Sequence, residues 1–211
     1  AILEVWFPGQ EDGNIVADLV FGKVNPSGKL PVTFPFVGKG FLDKVTDTEF
    51  PGKLSGDGVT NTVTYTEGLN IGYRWYDANK VTPAFEFGHG LSYTTFTVTS
   101  PSVTKNGSKY DVKATVKNTG DRTGSEVVQV YVSLPTGSDA AQPPKRLVGF
   151  SKVELAAGAS KDVTITIDPA ASNHPLSYWN KSTNMWTTPA GTYTVHVGNS
   201  SRNLSPVTFV K

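Results

Sequence analysis

Glu67-Gly-Leu-Asn-Ile-Gly-Tyr-Arg-Trp-Tyr-Asp77, followed after a short spacer by Phe85-Glu-Phe-Gly-His-Gly-Leu-Ser-Tyr93, is the densest aromatic and glycine segment of the chain. Large rings bury large areas, and glycines let backbone run close beside them. This composition predicts an ordered strap that fastens one domain to another, not a solvated linker. The chain changes character on either side of it. From about Ser92 onward the period is 2: Tyr93–Val98, Tyr110–Val116, Val127–Val132, Leu147–Phe150 with Val153 and Leu155, Val163–Ile167, Gly191–Val197 and Val207–Val210. Turn signals at Asn118-Thr-Gly-Asp, Ala157-Gly and Pro189-Ala-Gly separate them. Short alternating strands at this spacing predict an antiparallel β-sandwich of the immunoglobulin or fibronectin type III kind. With no cysteine in the chain, the fibronectin type III-like version is the better fit.

Upstream of the strap, Ala1-Ile-Leu-Glu-Val-Trp-Phe7 is a short apolar run that reads as a strand buried on both faces. Ile15, Val16, Leu19 and Val20 recur at helical spacing, with Asp12 as cap and Gly22 as stop. One strand and one helix cannot bury their own apolar faces. The chain also opens without an initiator Met, so the expectation is that it is part of a longer polypeptide and that residues 1–30 favour association. Asn25 to Pro31 turns the chain, and Val32-Thr-Phe34 leaves as an extended piece. Residues 35–66 carry Gly and Pro with no sustained period, as a long surface excursion does. The expected division is a strand-helix piece over 1–34, loop and strap over 35–91, and the sandwich over 92–211.

The 211 residues are 37% hydrophobic and 18% charged, with a net charge of +1, which describes a globular protein. Lys and Arg are scattered, so no basic stripe exists for nucleic acid. No apolar run reaches the length of a bilayer span. Zero cysteines removes disulfides and thiol chemistry but does not fix the compartment; the expectation is extracellular or periplasmic. The triplets at Asn106, Asn180, Asn199 and Asn203 are glycosylation acceptors in form, though chance produces such triplets often in a chain rich in Asn, Ser and Thr.

Several segments together resemble glycoside hydrolase family 3. Pro8-Gly-Gln-Glu-Asp-Gly13 with Ala17-Asp18, then Gly22 through Phe34, is similar to the end of that family's α/β sandwich domain. The strap is similar to the family's strap. The segments Asn118 to Val132, Lys145-Arg-Leu-Val-Gly-Phe150 and Gly191 to Asn203 are similar to its fibronectin type III-like domain. The resemblance implies a β-glucosidase or related exo-glycosidase such as a β-xylosidase, built from a (β/α)8 barrel, an α/β sandwich and the β-sandwich. It implies a retaining reaction with an aspartate nucleophile on the barrel and a glutamate acid/base upstream of Ala1, carboxylates roughly 5 Å apart. No residue here then takes a catalytic, substrate-binding, cofactor or metal role, and this chain alone is inactive. The barrel and the rest of the α/β domain are its implied partners. A free-standing carbohydrate-binding or adhesion module is the alternative.

The tempting residues each carry a plainer reading. Glu11, beside Asp12 at the end of the apolar run, is an acid candidate or a helix cap. His89, with Glu86 nearby, is a base candidate or a turn histidine bonded to backbone; it shows no metal-ligand spacing with His174 and His196. Tyr73, Arg74, Trp75, Tyr76 and Asp77 form either a sugar platform or interdomain packing, with Arg74 paired to Asp77 or Glu67. Trp179 and Trp186 flank a hairpin-like loop that is either a core edge or a sugar surface. By the resemblance, residues 36–66 approach the mouth of the active site.

Overall fold

The computed structural model describes residues 1–137 and 142–211. It is mainly β. In chain order it contains α1 (Asp12–Val20), β1 (Lys53–Leu54), β2 (Asn61–Thr62), α2 (Tyr73–Ala78), β3 (Phe96–Asn106), β4 (Lys109–Asn118), β5 (Gly124–Ser133), β6 (Arg146–Leu155), β7 (Ser160–Ile167), β8 (Tyr178–Asn180), β9 (Met185–Thr187), β10 (Thr192–Gly198) and β11 (Leu204–Val210).

Two antiparallel sheets build the sandwich, one in the order β11-β10-β5-β6 and the other β3-β4-β7. The alternation read from sequence is visible as burial: along β4, and along β7 from Val163 onward, every second residue is buried. Val112, Val116, Val130, Ile167, Tyr193 and Val195 meet between the sheets in one apolar cluster. Asn118, with no exposed surface, closes one end of this core. Its amide donates to the carbonyls of Arg122 and Leu155, and its oxygen accepts from the Thr94 hydroxyl and the Gly120 N–H. One side chain thus satisfies backbone from a turn and a strand end together with the Thr94 hydroxyl at the exit of the strap, groups that would be costly to bury unpaired.

The expected strand at the start is not formed. Residues 1–8 have no regular structure, and Ile2 and Phe7 are 77% and 98% exposed. A strand requires a ladder partner for its N–H and C=O groups, and among the described residues none lies alongside. The helix does form, preceded by one 3-10 turn at Gly9–Glu11 and ended by Gly22, whose φ of +73° suits a residue without Cβ. The extended piece pairs with the strap, not with residues 1–7: Leu30 N–H donates to the His89 carbonyl, Gly88 N–H to that of Leu30, and Phe34 bridges Phe85. The excursion at 35–66 is a succession of turns carrying the small β1–β2 hairpin.

Gly88 and Gly90 account for the path of the strap. A Cβ on Gly90 would lie 2.2 Å from the Gly28 carbonyl oxygen, and one on Gly88 would lie 2.2 Å from the Gln129 amide. The strap therefore threads between residues 28–30 and strand β5 with no room for a side chain. Gly90→Ala is expected to destabilise the protein by about 1–3 kcal/mol through this overlap, with a lower denaturant midpoint. An unchanged midpoint would show that the 28–30 segment is free to move aside.

Candidate functional site

The strap docks on the sandwich through its rings. Tyr73 lies 4.8 Å from Phe87 and 5.7 Å from Tyr131 between ring centroids, and its hydroxyl accepts the Leu147 N–H at 2.7 Å. Trp75 and Tyr76 are buried, and Phe41 packs edge-on against Trp75 at 5.5 Å. These rings are occupied by protein, so the packing reading describes Tyr73, Trp75 and Tyr76. Burial raises the pKa of both Tyr73 and Tyr131, which keeps their phenols protonated as hydrogen-bond donors or acceptors.

The charges pair differently from expectation. Asp77 binds Lys145 at 2.5 Å and Arg202 at 3.3 Å, not Arg74. Arg74 and Asp77 are i,i+3 on the six-residue helix α2, a spacing that permits pairing, but Lys145 takes one Asp77 oxygen and Arg202 the other. Arg74 has its guanidinium 6.0 Å from the centre of the Tyr73 ring, and its buried Nε has no hydrogen-bond partner. Among the described residues, neither Asp77 nor Glu67 pairs with it. A second inter-segment pair, Lys29–Glu126 at 2.7 Å, is almost fully buried, and Lys29 also donates to the Gly90 carbonyl.

The other candidates are found as follows. Glu11 Oε2 accepts from the Asn14 amide at 2.6 Å, while Asp12 Oδ1 accepts the Gly13 N–H at 2.7 Å. Neither makes the side-chain bond of a regular N-cap, although both sit at the positive end of α1. His89 Nδ1 lies 3.7 Å from Glu86 Oε1, an oxygen that also accepts from the Ser200 hydroxyl. The His89 main chain is held in a turn by Leu30 and Glu86, and its ring lies beside Phe85. His174 stacks on Trp186, and His196 Nε2 contacts the Ser133 hydroxyl at 2.9 Å within the sheet. The three histidines stand in separate places, and no group of three potential metal ligands gathers among the described residues. Of the glycosylation triplets, the amide nitrogens of Asn106, Asn199 and Asn203 already donate to Asp111, Glu126 and Asn199.

One cavity lies within the excursion at 35–66. It is half-open, about 320 Å³, and lined by Phe41, Leu42, Phe50, Val63 and Tyr65 with Glu49 and Glu67. Hydrogen bonds from Thr66 and Thr46 hold the Glu49 carboxyl below its ordinary range, so it carries a negative charge at neutral pH. The sequence offered no period from which to find this arrangement.

Two consequences can be measured. Asp77→Ala leaves Lys145 and Arg202 without a counter-charge and is expected to cost about 2 kcal/mol, given the partial exposure of Arg202. A double-mutant cycle with Lys145→Ala should show coupling between the two; strict additivity would refute the pairing. His196 has its pKa lowered below 6.5, first by burial and then by Lys145. Its folded pKa lies below the unfolded one, so the stabilising contribution is present above about pH 6.5 and is lost as pH falls through the folded value. The His196→Gln variant should lack this part of the acid-side loss in unfolding free energies between roughly pH 5 and 8.

Comparison with known proteins places these features in a lineage. Residues 1–93 match the Glycosyl hydrolase family 3 C-terminal domain, and residues 126–201 match the Fibronectin type III-like domain. Over 210 residues the chain is 42% identical to an exo-α-(1→6)-L-arabinopyranosidase of Bifidobacterium longum, covering 99% of this chain and 26% of that protein. It is 40% identical to the thermostable β-glucosidase B of Acetivibrio thermocellus over 97% of this chain and 26% of that protein. The crystal structure of a β-glucosidase from Streptomyces venezuelae in complex with D-glucose superposes with a TM-score of 0.87 at 40% identity, covering 97% of this chain and 25% of that one. The chain thus spans about a quarter of the length of the relatives it matches. On these matches the chain belongs to glycosyl hydrolase family 3, as its C-terminal domain continued by a fibronectin type III-like domain.

Proposed function

We propose that this chain is the C-terminal portion of a retaining β-glucosidase that removes terminal, non-reducing β-D-glucosyl residues, and that its own part is to brace the catalytic domains. The catalytic aspartate and glutamate then belong to the remainder of the enzyme, and the partners of residues 1–34 are the barrel and the rest of the α/β sandwich. One observation carries this reading: Ile2, Phe7, Val20 and Phe21 lie exposed on one short segment, while the sandwich a few residues beyond the strap buries a complete core. Exposed apolar surface on that scale marks an interface.

The strap supports the same reading. Tyr93 donates its hydroxyl to the Leu19 carbonyl, Asn25 binds Thr123, Ser92 and Tyr93, and Lys29 pairs with Glu126. The α1 segment is therefore fixed on the sandwich by its C-terminal end, with its apolar face left for another layer. The excursion at 35–66 and its cavity would rim the entrance on the leaving-group side. The sugar is set by residues of the barrel: relatives named for arabinopyranosidase and β-glucosidase activity match this chain equally well. Secretion to the extracellular space or periplasm is part of the proposal.

Hydrolysis of an aryl β-glucoside tests it. A longer polypeptide ending in this sequence should release glucose with retention of the anomer, while the 22.6 kDa chain alone should be inert. Turnover by the 22.6 kDa chain, or inversion by the longer one, would overturn the assignment.

A further inference from the structure

The β8–β9 hairpin holds two tryptophans that take no part in bracing. Trp179 and Trp186 are cross-strand partners, with ring centroids 5.6 Å apart and planes at 79°. They are 42% and 45% exposed. Because they share one face, Tyr178 and Thr187 fall on the other, and those two are the less exposed. The rings thus form an open L-shaped step on the outer face of the hairpin. His174 stacks on Trp186 at 4.1 Å and 20°, which fixes that ring in orientation.

The platform is held from below. Leu176, completely buried, anchors its approach in the core. Arg146 donates to the carbonyls of His174, Pro175 and Ser177, and the Tyr193 hydroxyl donates to those of Leu176 and Pro189. Ser177 and Thr188 join the two strands at their base at 2.6 Å. Large aromatic surface left in water costs free energy, yet here the hairpin that carries it is held by six hydrogen bonds from Arg146, Tyr193 and the Ser177–Thr188 pair. Rigidity of this kind lowers the ordering cost of binding. Packing in a core edge does not require it.

The geometry points to a binding site for a chain of equatorially substituted pyranose units, a β-linked glucan, on the Trp179–Trp186 step. Such rings present flat C–H faces that match the negative faces of indoles, and their edges carry hydroxyls. Beside the step the hairpin turn carries the exposed Lys181 as a polar partner, and the Asn180 oxygen holds that turn by accepting the N–H groups of Ser182 and Thr183. A nucleic acid would ask for several phosphate-binding cations, and the chain carries a net charge of only +1. The choice of a sugar rests on the glycosidase reading above; the existence of an aromatic platform does not. The site lies on the sandwich and needs no catalytic carboxylate, so it would hold polymer near the enzyme without cleaving it.

The test uses the 211-residue chain, which binds without turnover under this proposal. It is electrophoresed through native gels containing soluble mixed-linkage β-glucan, with dextran gels as control. Retardation in the β-glucan gel is expected for the unmodified chain. Trp179→Ala and Trp186→Ala should each weaken it roughly tenfold, the order that loss of one aromatic stacking partner gives, while Trp186→Phe retains part of it. Cello-oligosaccharide should also shift the intrinsic tryptophan fluorescence of the unmodified chain, a readout that does not depend on the variants folding. An unretarded, spectrally silent unmodified chain would overturn the proposal. So would retention that survives the double alanine variant, or a double variant that alters the native mass of the chain and leaves retardation intact, since that result marks a protein interface. A longer polypeptide failing to cleave β-glucosides would refute the glycosidase reading and leave the gel result standing.

Discussion

The close approach of glycine backbone to strand β5 is the constraint on which the rest of this architecture depends. Gln129 is buried in the middle of that strand, an expensive place for a primary amide unless every group is used. It donates to the carbonyls of Gly88 and Asn199 and accepts from the Tyr131 hydroxyl at 2.6 Å. A side chain at position 88 would fill the space the amide occupies. The strap is therefore held where its carbonyl can reach into the sheet, and Phe87 is delivered to Tyr73 on one side of that point. Removing the amide would leave the Gly88 and Asn199 carbonyls short of a donor, and moving the backbone away would leave the amide unpaired. Each is stable only in the presence of the other.

Charge reinforces the same junction at its two ends. Lys29–Glu126 ties the segment after α1 to the start of β5, and Asp77 with Lys145 and Arg202 ties α2 to the sandwich. Buried pairs contribute little net stability, because desolvation offsets attraction. Their physical effect here is on register. A shifted strap would leave a buried carboxylate beside apolar groups, and the cost of that error exceeds the modest gain of the correct pairing. The aromatic contacts supply attraction without direction, and the ion pairs supply direction.

Much of this was legible in the sequence, for identifiable reasons. The sandwich strands alternate where one face of the sheet is buried and the other is wet, as β4 shows in every residue, whereas β5 is buried on both faces where the strap covers it. The helix was legible from Ile15, Val16, Leu19 and Val20, and its end from Gly22. Ala1 to Phe7 reads as a buried strand yet has no regular structure here, because an apolar run records what a segment would bury, not whether a ladder partner lies alongside. Helix α2 escaped because six residues are too few for a 3.6-residue period to declare itself. Arg74 was matched to the wrong acids for a related reason. Proximity along the chain made Asp77 look available, whereas Lys145 and Arg202, 68 residues downstream in the first case, had already claimed it in space. Gln129 gave no signal at all, since a polar residue in an alternating strand reads as solvent-facing until the strap is laid over it.

The molecule exposes apolar surface of two kinds, and the difference between them is physical. Ile2 and Phe7 are carried on backbone that has no regular structure before α1, so their positions are not specified by this chain. Surface of that sort acquires its geometry from whatever covers it, as the edge of a divided core does. Trp179 and Trp186 are the reverse: the hairpin beneath them is fixed by Arg146, Tyr193 and the Ser177–Thr188 contact before any ligand arrives. A surface ordered in advance can bind a small or repeating ligand that brings little ordering energy of its own, whereas a surface ordered by its partner needs a large one. The first kind suits the missing layer of a domain, and the second suits a sugar chain.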